Sequence, residues 1–373
     1  MISTMKQALT LASQSLLLTS PNPRVGCIIT TPGGQLLGQG HTQRTGGAHA
    51  EVMALRDAHT KGHSVAGATA YVTLEPCSHH GRTGPCCDAL IAAGIKKVVA
   101  SIADPNPLVS GQGFARLRAA GVEVEVLSLD DPLAIESREL NIGFFSRMIR
   151  KTPWVRLKMA ASLDGRSALD NGVSQWISSA AARADGHAWR ARACAVLTGI
   201  GTVLADNPKL DVRLVDTPRQ PHLVIVDSRL ETPLDAALFT PGRVILIYAA
   251  IENDARRAAL QARGATVICT PGRVPGTERK VDLAAMLRDL AEREINELHV
   301  EAGHKLNGSF IREGLVDEYL VYLAPLLIGL GSGMAHFGPI TQLSDAVNLR
   351  FHGIEAVGPD LRILARPPGR EAF

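Results

Sequence analysis

Apolar and polar residues alternate with two different periods in the first 128 residues of the chain. Near the start, apolar residues recur every three or four positions, as on one face of an amphipathic helix: Met5, Ala8, Leu9, Ala12 and Leu16. Runs rich in β-branched residues and bounded by turns predict strands over 25–31, 35–38, 68–74, 97–102 and 122–127. Helical patterns between them cover 48–58, 86–93 and 114–120. Strands that alternate with helices predict an α/β domain.

A change of character between residues 130 and 153 predicts a domain boundary. A polar helix begins near Pro132, basic residues accumulate after it, and Thr152-Pro153 breaks the pattern. Strand patterns then recur over 154–160, 194–197, 222–227, 243–248, 266–269, 298–301 and 319–323, with helices between most of them. We therefore divide the chain into residues 1–148 and 149–373, each long enough for its own α/β core.

Composition and charge narrow the classes of function. A net charge of +3 and an aromatic content of 4% argue against a nucleic-acid partner. No apolar run approaches the roughly 20 residues that span a bilayer, so we expect no membrane partner. Residues 6–18 have the outline of a short signal peptide, but their helical spacing favours an amphipathic helix. Six cysteines are too few for a disulfide scaffold, and we expect a cytoplasmic protein.

The strongest chemical signal is a set of metal-binding residue types at the predicted ends of strands and helices. His49-Ala50-Glu51 opens a helix, Cys77 follows a strand and Cys86 starts the next helix. One imidazole and two thiolates suit zinc, and three protein ligands leave a fourth position for water, as in catalytic sites. Glu51 is too close to His49 to coordinate the same ion, and a carboxylate so placed transfers protons in zinc deaminases.

The cysteine spacing departs from the general zinc-deaminase signature. That signature separates its cysteines by two residues, whereas the eight residues Ser78 to Pro85 lie between Cys77 and Cys86. A loop of that length can still return Cys86 to the metal. Cys87 points about 100° around the helix from Cys86, which favours burial over ligation. A structural zinc site with Cys87 as its fourth ligand is the alternative.

In the second half, polar and glycine-rich turns follow several predicted strands. Residues 174–178 lead into a helix capped by Ser178 or Ser179. The turns at 199–202 and 301–309 join strands to helices, where backbone N–H groups can bind phosphate. Ordinary α/β connecting loops explain the same residues equally well, and no G-x-G-x-x-G fingerprint is present.

Four motifs resemble those of the bifunctional riboflavin-biosynthesis deaminase-reductase family: residues 21–26, 49–51, 73–83 and 104–107. The longer cysteine spacing belongs to that family's pattern. The resemblance covers nearly the whole chain and is weakest over 230–290. It implies a cytidine-deaminase-like α/β/α domain followed by a dihydrofolate-reductase-like α/β domain, with zinc and NADPH as cofactors.

The resemblance also implies roles for residues in the first domain. The zinc ligands would be His49, Cys77 and Cys86, with Glu51 as the proton shuttle. Asn22 and His41 would face the pyrimidine, and Arg82 the ribose phosphate, for which an arginine offers a bidentate fork. His79 and His80 are equally compatible with a polar loop and with a catalytic role.

For the second domain the resemblance implies two sets of contacts. NADPH would contact Ala160, Trp176, Thr202, Asp206, Ser228, Gly303, His304, Lys305, Leu306, Asn307, Gly308 and Ser309. The second substrate would contact Ser174, Arg190, Leu210, Arg213 and Glu301, with the arginines as partners of its phosphate. Lys158 and Asp206 are candidates for catalytic groups at the reacting ribose carbon, and a purely structural strand-end lysine and Asp-Asn-Pro turn is the alternative.

The implied function is a two-reaction enzyme that acts on small phosphorylated pyrimidines. Zinc-dependent hydrolysis would deaminate 2,5-diamino-6-(5-phosphoribosylamino)pyrimidin-4-one, and NADPH would then reduce the ribosyl group of 5-amino-6-(5-phosphoribosylamino)uracil to ribityl. Two other hypotheses remain: a nucleic-acid deaminase with an accessory domain, and a scaffold built on structural zinc. A homo-oligomer is expected.

Overall fold

The computed structural model describes residues 2–78, 84–107, 109–240 and 242–373. The chain forms two compact units, one of residues 1–151 with Phe373 and the other of residues 152–372. This division lies three residues beyond the position expected from the sequence, 151 against 148. Within the described residues, no helix has both the length and the apolar character needed to cross a membrane.

The first unit contains the following elements: strands β1 (Gly26–Thr30), β2 (Leu36–His41), β3 (Thr69–Val72), β4 (Lys97–Ala100) and β5 (Glu123–Val126), and helices α1 (Ile2–Ser13), α2 (Ala50–Thr60), α3 (Cys86–Ala92), α4 (Gln112–Ala119), α5 (Pro132–Leu140) and α6 (Ile142–Arg150). Local sequence explains several boundaries. The Asp131 side chain caps α5 by accepting from the Leu133 N–H, with proline at the first helical position. Gly94 follows α3 with a φ of +77°, a conformation that glycine adopts without strain.

The five strands of the first unit form one sheet in the order β2-β1-β3-β4-β5. β1 is antiparallel to both neighbours, whereas β3, β4 and β5 are parallel. Successive residues of β1 pack on opposite faces: Cys27 and Ile29 against the core that contains Ala54 of α2, and Ile28 against Met5 of α1. Helices therefore cover both faces, which confirms the predicted α/β/α arrangement.

The second unit contains the following elements: strands β6 (Trp154–Ser162), β7 (Arg166–Leu169), β8 (Ala195–Gly199), β9 (His222–Val226), β10 (Ile245–Ala249), β11 (Ala265–Cys269), β12 (Glu297–Val300), β13 (Glu318–Ala324), β14 (Gly331–Gly333), β15 (Arg350–Val357) and β16 (Asp360–Arg366), and helices α7 (Ala180–Arg192), α8 (Ile200–Asp206), α9 (Asp254–Ala262), α10 (Leu283–Glu292) and α11 (His304–Arg312). Ser179 caps α7 with its hydroxyl, as one of the two predicted caps.

Nine of these strands form one sheet in the order β11-β10-β9-β8-β12-β6-β13-β16-β15. The strands from β11 to β13 are parallel, and β16 and β15 complete one edge in antiparallel pairing. Helices cover both faces, with Met286 and Phe310 in one core and Val203 and Leu260 in another. The carboxyl ends of parallel strands meet at one edge of such a sheet, which is where ligands bind in open α/β folds.

A buried set of charges crosses the middle of this sheet. Arg156 of β6 pairs with Glu318 of β13 at 2.5 Å and with Glu297 of β12 at 3.2 Å. Arg366 of β16 donates to Glu318 at 2.8 Å, and Arg192 donates to Glu297 at the same distance. Every carboxylate therefore has two guanidinium partners, which compensates for the cost of removing these charges from water.

One expectation about the fold was wrong in detail, and one hairpin was not predicted. The segment after residue 130 is not one polar helix but two helices, and α6 buries Ile142 and Phe145. The sequence patterns also missed the C-terminal hairpin of β15 and β16. Most side chains of β15 are exposed, so the strand has no buried face to impose a period of two.

Candidate active sites

The three predicted metal ligands of the first unit come from the starts of two helices and the end of a strand. His49 is the N-cap of α2, and Cys86 is the first residue of α3. Cys77 follows β3 after a short extended segment. The positive ends of two helix dipoles therefore lie beside the thiolates, which is an environment that favours the charged form of a cysteine.

The ligand atoms of these residues lie within 4.8 Å of one another. His49 Nδ1 is 3.3 Å from Cys86 Sγ and 3.6 Å from Cys77 Sγ. The Cys86 N–H also donates to Cys77 Sγ at 3.3 Å. One nitrogen and two sulfur donors converging at this separation fit a tetrahedral zinc ion with one further position.

Glu51 lies beside this cluster on the first turn of α2 and is only 3% exposed. Burial raises the pKa of its carboxyl group to about 7, and the charge of Cys77 acts in the same direction. The hydrogen bond with Cys86 holds the pKa of the Cys77 thiol well below its usual range. The site thus contains a thiolate donor and a carboxyl group that both gives and takes protons near neutral pH.

Glu75 was not assigned a role from the sequence, and the structure gives it one. Its carboxylate accepts at 2.9–3.3 Å from the backbone N–H groups of Asp104, Gly111, Gly113 and Phe114. Because Glu75 is two residues before Cys77, it joins the segment 104–114 to the metal-binding segment. No sequence period marks such a side-chain to backbone contact.

Cys87 does not point towards the metal cluster. It is fully buried, and its thiol donates to the Pro76 carbonyl at 3.1 Å. Burial raises the pKa of this thiol to about 12, so it stays protonated. The prediction that Cys87 is buried is confirmed, and the described residues offer no fourth thiolate for the structural-zinc alternative.

The predicted pyrimidine contacts of the first unit are only partly described. His41 ends β2, and its Nδ1 is 3.1 Å from the Ser15 hydroxyl, which donates to the Thr42 carbonyl at 2.9 Å. Asn22 lies in the turn that precedes β1. Arg82, His79 and His80 lie outside the described residues.

In the second unit, three predicted residues form one charged group. Arg190 of α7 donates to Glu301 through Nε at 2.8 Å and through Nη2 at 2.9 Å. Lys158 Nζ lies 4.0 Å from the same carboxylate. The positive charge of Arg190 holds the pKa of Glu301 well below its usual range despite burial. Since Glu301 occupies the fork of Arg190, a phosphate would have to share that arginine with a carboxylate.

Two other predicted contacts lie on the irregular segment 207–213, which follows α8. Leu210 is buried and has a φ of +52°, an uncommon conformation for a leucine. The side chain of Arg213 is 51% exposed and pairs with Asp211 at 2.6 Å. Asp206 is the exposed last residue of α8. Arg190 connects the two groups, because its Nη1 donates to the Asp211 carbonyl.

The starts of α8 and α11 lie side by side in this unit. A Cβ atom on Gly303 would be 3.8 Å from Thr202 Oγ1, and one on Gly199 would be 3.0 Å from Leu306 Cδ2. Adjacent helix starts concentrate unpaired N–H groups, which suits the phosphates of a dinucleotide. The stretch of backbone with N–H groups available for phosphate is shorter than the predicted range 303–309. The Asn307 N–H already donates to the Gly303 carbonyl inside α11.

The remaining predicted cofactor and substrate contacts occupy loops and strand ends of the same unit. Ala160 lies in β6, and Ser228 follows β9. Ser174 and Trp176 precede α7, and the indole of Trp176 is 66% exposed and lies under the Arg183 guanidinium. Their roles stay predictions.

His187 was not predicted as a functional residue from the sequence, and its surroundings lead us to expect that acid destabilises the second unit. Its Nδ1 accepts from the Arg213 N–H at 3.2 Å, and burial lowers its pKa to about 4. Between pH 6.5 and about 4, His187 binds a proton in the unfolded chain but not in the folded one. Its contribution to the free energy of unfolding is therefore fully present above pH 6.5 and decreases as the pH falls through that interval. Solvent screening reduces the effect of a partly hydrated imidazole, so we expect a loss of about 1–2 kcal/mol.

Thermal unfolding measured from pH 7 to pH 4 checks this expectation. His187→Asn keeps an acceptor near the position of Nδ1 but has no basic nitrogen, so its unfolding midpoint should decrease less steeply with acid. Parallel curves for the two proteins would contradict the assignment.

Comparison with known proteins finds a family match in each unit. Residues 2–102 match the cytidine and deoxycytidylate deaminase zinc-binding region, and residues 153–363 match the RibD C-terminal domain. The riboflavin biosynthesis protein RibD of Escherichia coli strain K12 is 43% identical over 371 residues, which cover 96% of each chain. The protein of the same name from Aquifex aeolicus strain VF5 is 40% identical over 359 residues, again 96% of each chain.

Solved structures match over almost the whole chain. RibD of Acinetobacter baumannii, form 1, is 38% identical, has a TM-score of 0.86 and shares 98% of both chains. A diaminohydroxyphosphoribosylaminopyrimidine deaminase/5-amino-6-(5-phosphoribosylamino)uracil reductase from Thermotoga maritima is 32% identical, with a TM-score of 0.83 over 98% of both chains.

A zinc-binding deaminase region followed by a reductase domain defines a bifunctional enzyme. The chain belongs to the RibD family, the deaminase-reductases of riboflavin biosynthesis. The resemblance inferred from the four sequence motifs is therefore confirmed, and so are a hydrolase and an oxidoreductase activity that use zinc and NADPH.

Proposed function

We propose that the first unit deaminates 2,5-diamino-6-(5-phosphoribosylamino)pyrimidin-4-one and that the second reduces 5-amino-6-(5-phosphoribosylamino)uracil at its ribosyl group. The observation that carries the first half is the convergence of His49, Cys77 and Cys86 beside the buried carboxyl group of Glu51. The second half is supported by the charged group around Glu301 and by the paired helix starts at Gly199 and Gly303.

In the deaminase site, His49, Cys77 and Cys86 would hold zinc, which acts as a Lewis acid that activates water. Glu51 would take a first proton from that water and give it to the ring nitrogen, and would then carry the second proton of the same water from the new hydroxyl group to the departing amine, for which a pKa near 7 is suited. His41 and Asn22 would orient the pyrimidine, and Arg82 would bind its phosphate. Deamination then replaces the exocyclic amine by oxygen and releases ammonia.

In the reductase site, Gly303 and the first turn of α11, together with Thr202, would bind NADPH, which supplies a hydride when bound. Arg213, with its exposed guanidinium, would bind the substrate phosphate, and Glu301 would bind the substrate while held by Arg190. Lys158 and Asp206 would position the ribose and supply the proton that its opening ring oxygen requires.

Incubation of the purified chain with the phosphorylated diaminopyrimidine tests both halves at once. Without NADPH, we expect ammonia and the aminouracil product alone. With NADPH, we expect one equivalent of cofactor to be oxidised for each ribityl product formed. Ammonia release without any NADPH oxidation would refute the proposed second reaction, and the reverse would refute the first.

Variants of the second unit separate the two reactions. Lys158→Met and Asp206→Asn should each lower NADPH oxidation by at least about a hundredfold, because each removes a polar group proposed to act at the reacting carbon. Ammonia release should stay at the level of the unaltered protein. The exposed Lys280 offers a matched control, Lys280→Met, which should leave both rates unchanged. If Lys158→Met and Asp206→Asn both oxidised NADPH at the normal rate, Lys158 and Asp206 would have a structural role and not a catalytic one.

We also propose that two copies of the chain associate along β15 in the cytoplasm. β15 is the last strand of the nine-stranded sheet, and its Phe351 and Ile354 are 69% and 54% exposed. An exposed edge strand with apolar side chains favours pairing with another strand. The six free thiols support a reducing compartment. Sedimentation at micromolar concentration tests the association.

A further inference from the structure

The segment 207–213 of the second unit has no regular secondary structure, yet side chains from other elements hold most of its backbone. Its carbonyl oxygens at 209, 210, 211 and 212 and its N–H groups at 212 and 213 all pair with side chains. The residues that provide these side chains are Arg243, Arg190, Gln220 and His187. We call these four residues the clamp.

The clamp fixes the segment from three parts of the fold. Arg190 and His187 project from α7, Gln220 lies just before β9, and Arg243 lies just before β10. Arg243 donates to the carbonyl groups of Lys209 and Leu210, the latter at 2.8 Å. These bonds surround the left-handed conformation of Leu210, which the isolated chain would rarely adopt.

Gln220 makes the most complete contact of the four. Its Oε1 accepts from the Val212 N–H at 2.7 Å, and its Nε2 donates to the Val212 carbonyl at 2.9 Å. One side-chain amide thus replaces the neighbouring strand that would normally satisfy both groups of a residue. Val212 lies between Asp211, which Arg190 holds, and Arg213, an exposed cation of the segment.

The segment and the Glu301 carboxylate share Arg190, whose guanidinium contacts both. A shift of the segment would therefore disturb the guanidinium that holds Glu301 as well as move Arg213. Since ordering a flexible residue costs roughly 1–2 kcal/mol, a segment fixed before the ligand arrives loses less free energy on binding.

We infer that Gln220 is a positioning residue for the phosphorylated pyrimidine of the reductase: its amide holds Val212 and thereby places Arg213 and Leu210 against the substrate. The inference rests on the proposed function, because it takes these two residues to be substrate contacts. NADPH lies outside the inference, since the hydrogen bonds that the described part of the chain shows for the clamp reach neither Gly199 nor Gly303.

The test compares Gln220→Met, which keeps the size of the side chain but makes neither hydrogen bond, with Gln220→Glu, which keeps the acceptor and loses the donor. In both variants KM for the aminouracil substrate should rise about tenfold or more, while KM for NADPH stays within about twofold. Ammonia release should not change. Gln261→Met, at an exposed position of α9, is the matched control.

Limited trypsin digestion of the full chain supplies a second reading that does not use activity. Cleavage after Lys209 and Arg213 should be faster in Gln220→Met than in the unaltered protein and the Gln261→Met control. Unchanged cleavage and unchanged KM would overturn the inference, as would faster cleavage with an unchanged substrate KM. The proposed function fails separately, through absence of NADPH oxidation in the unaltered protein.

Discussion

Replacement of Glu51 by glutamine is expected to lower the rate of ammonia release by about a thousandfold while zinc remains bound. Glutamine has nearly the same shape as glutamate, but it cannot accept and return a proton. Because Glu51 is only 3% exposed beside the metal cluster, bulk water has little access to its carboxyl group. The measurements are ammonia release with the diaminopyrimidine substrate and the zinc content of the purified variant.

Two comparisons make this result specific. Glu136→Gln, on the exposed surface of α5, should leave ammonia release unchanged, since Glu136 pairs with Lys6 in a solvent-exposed contact. NADPH oxidation with the aminouracil substrate should stay normal in Glu51→Gln. If that variant kept more than about a tenth of its ammonia release, Glu51 would not be the proton-transferring group.

Replacement of Cys86 by serine should abolish both zinc binding and ammonia release. A serine hydroxyl stays protonated at neutral pH and is a poor ligand for zinc, so we expect zinc affinity to decrease by more than about a hundredfold. Reduction of the aminouracil substrate should continue. Zinc content and the two activities are measured on the same preparation.

Cys87→Ser is the matched control because the two cysteines are adjacent. The serine hydroxyl can still donate to the Pro76 carbonyl that Cys87 contacts, so the variant should fold and retain zinc. Loss of zinc from Cys87→Ser to the same degree as from Cys86→Ser would favour the structural, four-ligand alternative over a catalytic metal.

Much of the first unit could be predicted from its sequence because its signals are local. β1 is buried on both faces and reads as a continuous apolar run, and α2 and α3 begin within two residues of their predicted starts. The metal ligands belong to short motifs whose residue types already define the chemistry. The contacts of Glu75 were not predicted because its partners lie about 30 to 40 residues away along the chain.

Less of the second unit could be predicted from its sequence, and the reasons are physical. Lys158, Arg190 and Glu301 are far apart in sequence, so no local pattern predicts that they meet. Only the resemblance to a known family assigned them to one site, and the structure shows them in contact. Gln220 and Arg243 contact backbone atoms, and such contacts impose no pattern on the residues that they hold. β15 had no buried face to reveal it.

The buried charges of the second unit limit how this chain can be recombined with a relative. Arg156, Glu297, Glu318 and Arg366 lie on four different strands but form one electrostatic group. A chimera with its crossover between residues 156 and 366 takes part of that group from each parent. Unless the second parent carries matching charges, a guanidinium or carboxylate is left without a partner in the interior. Chimeras that fold should therefore have their crossovers outside this interval.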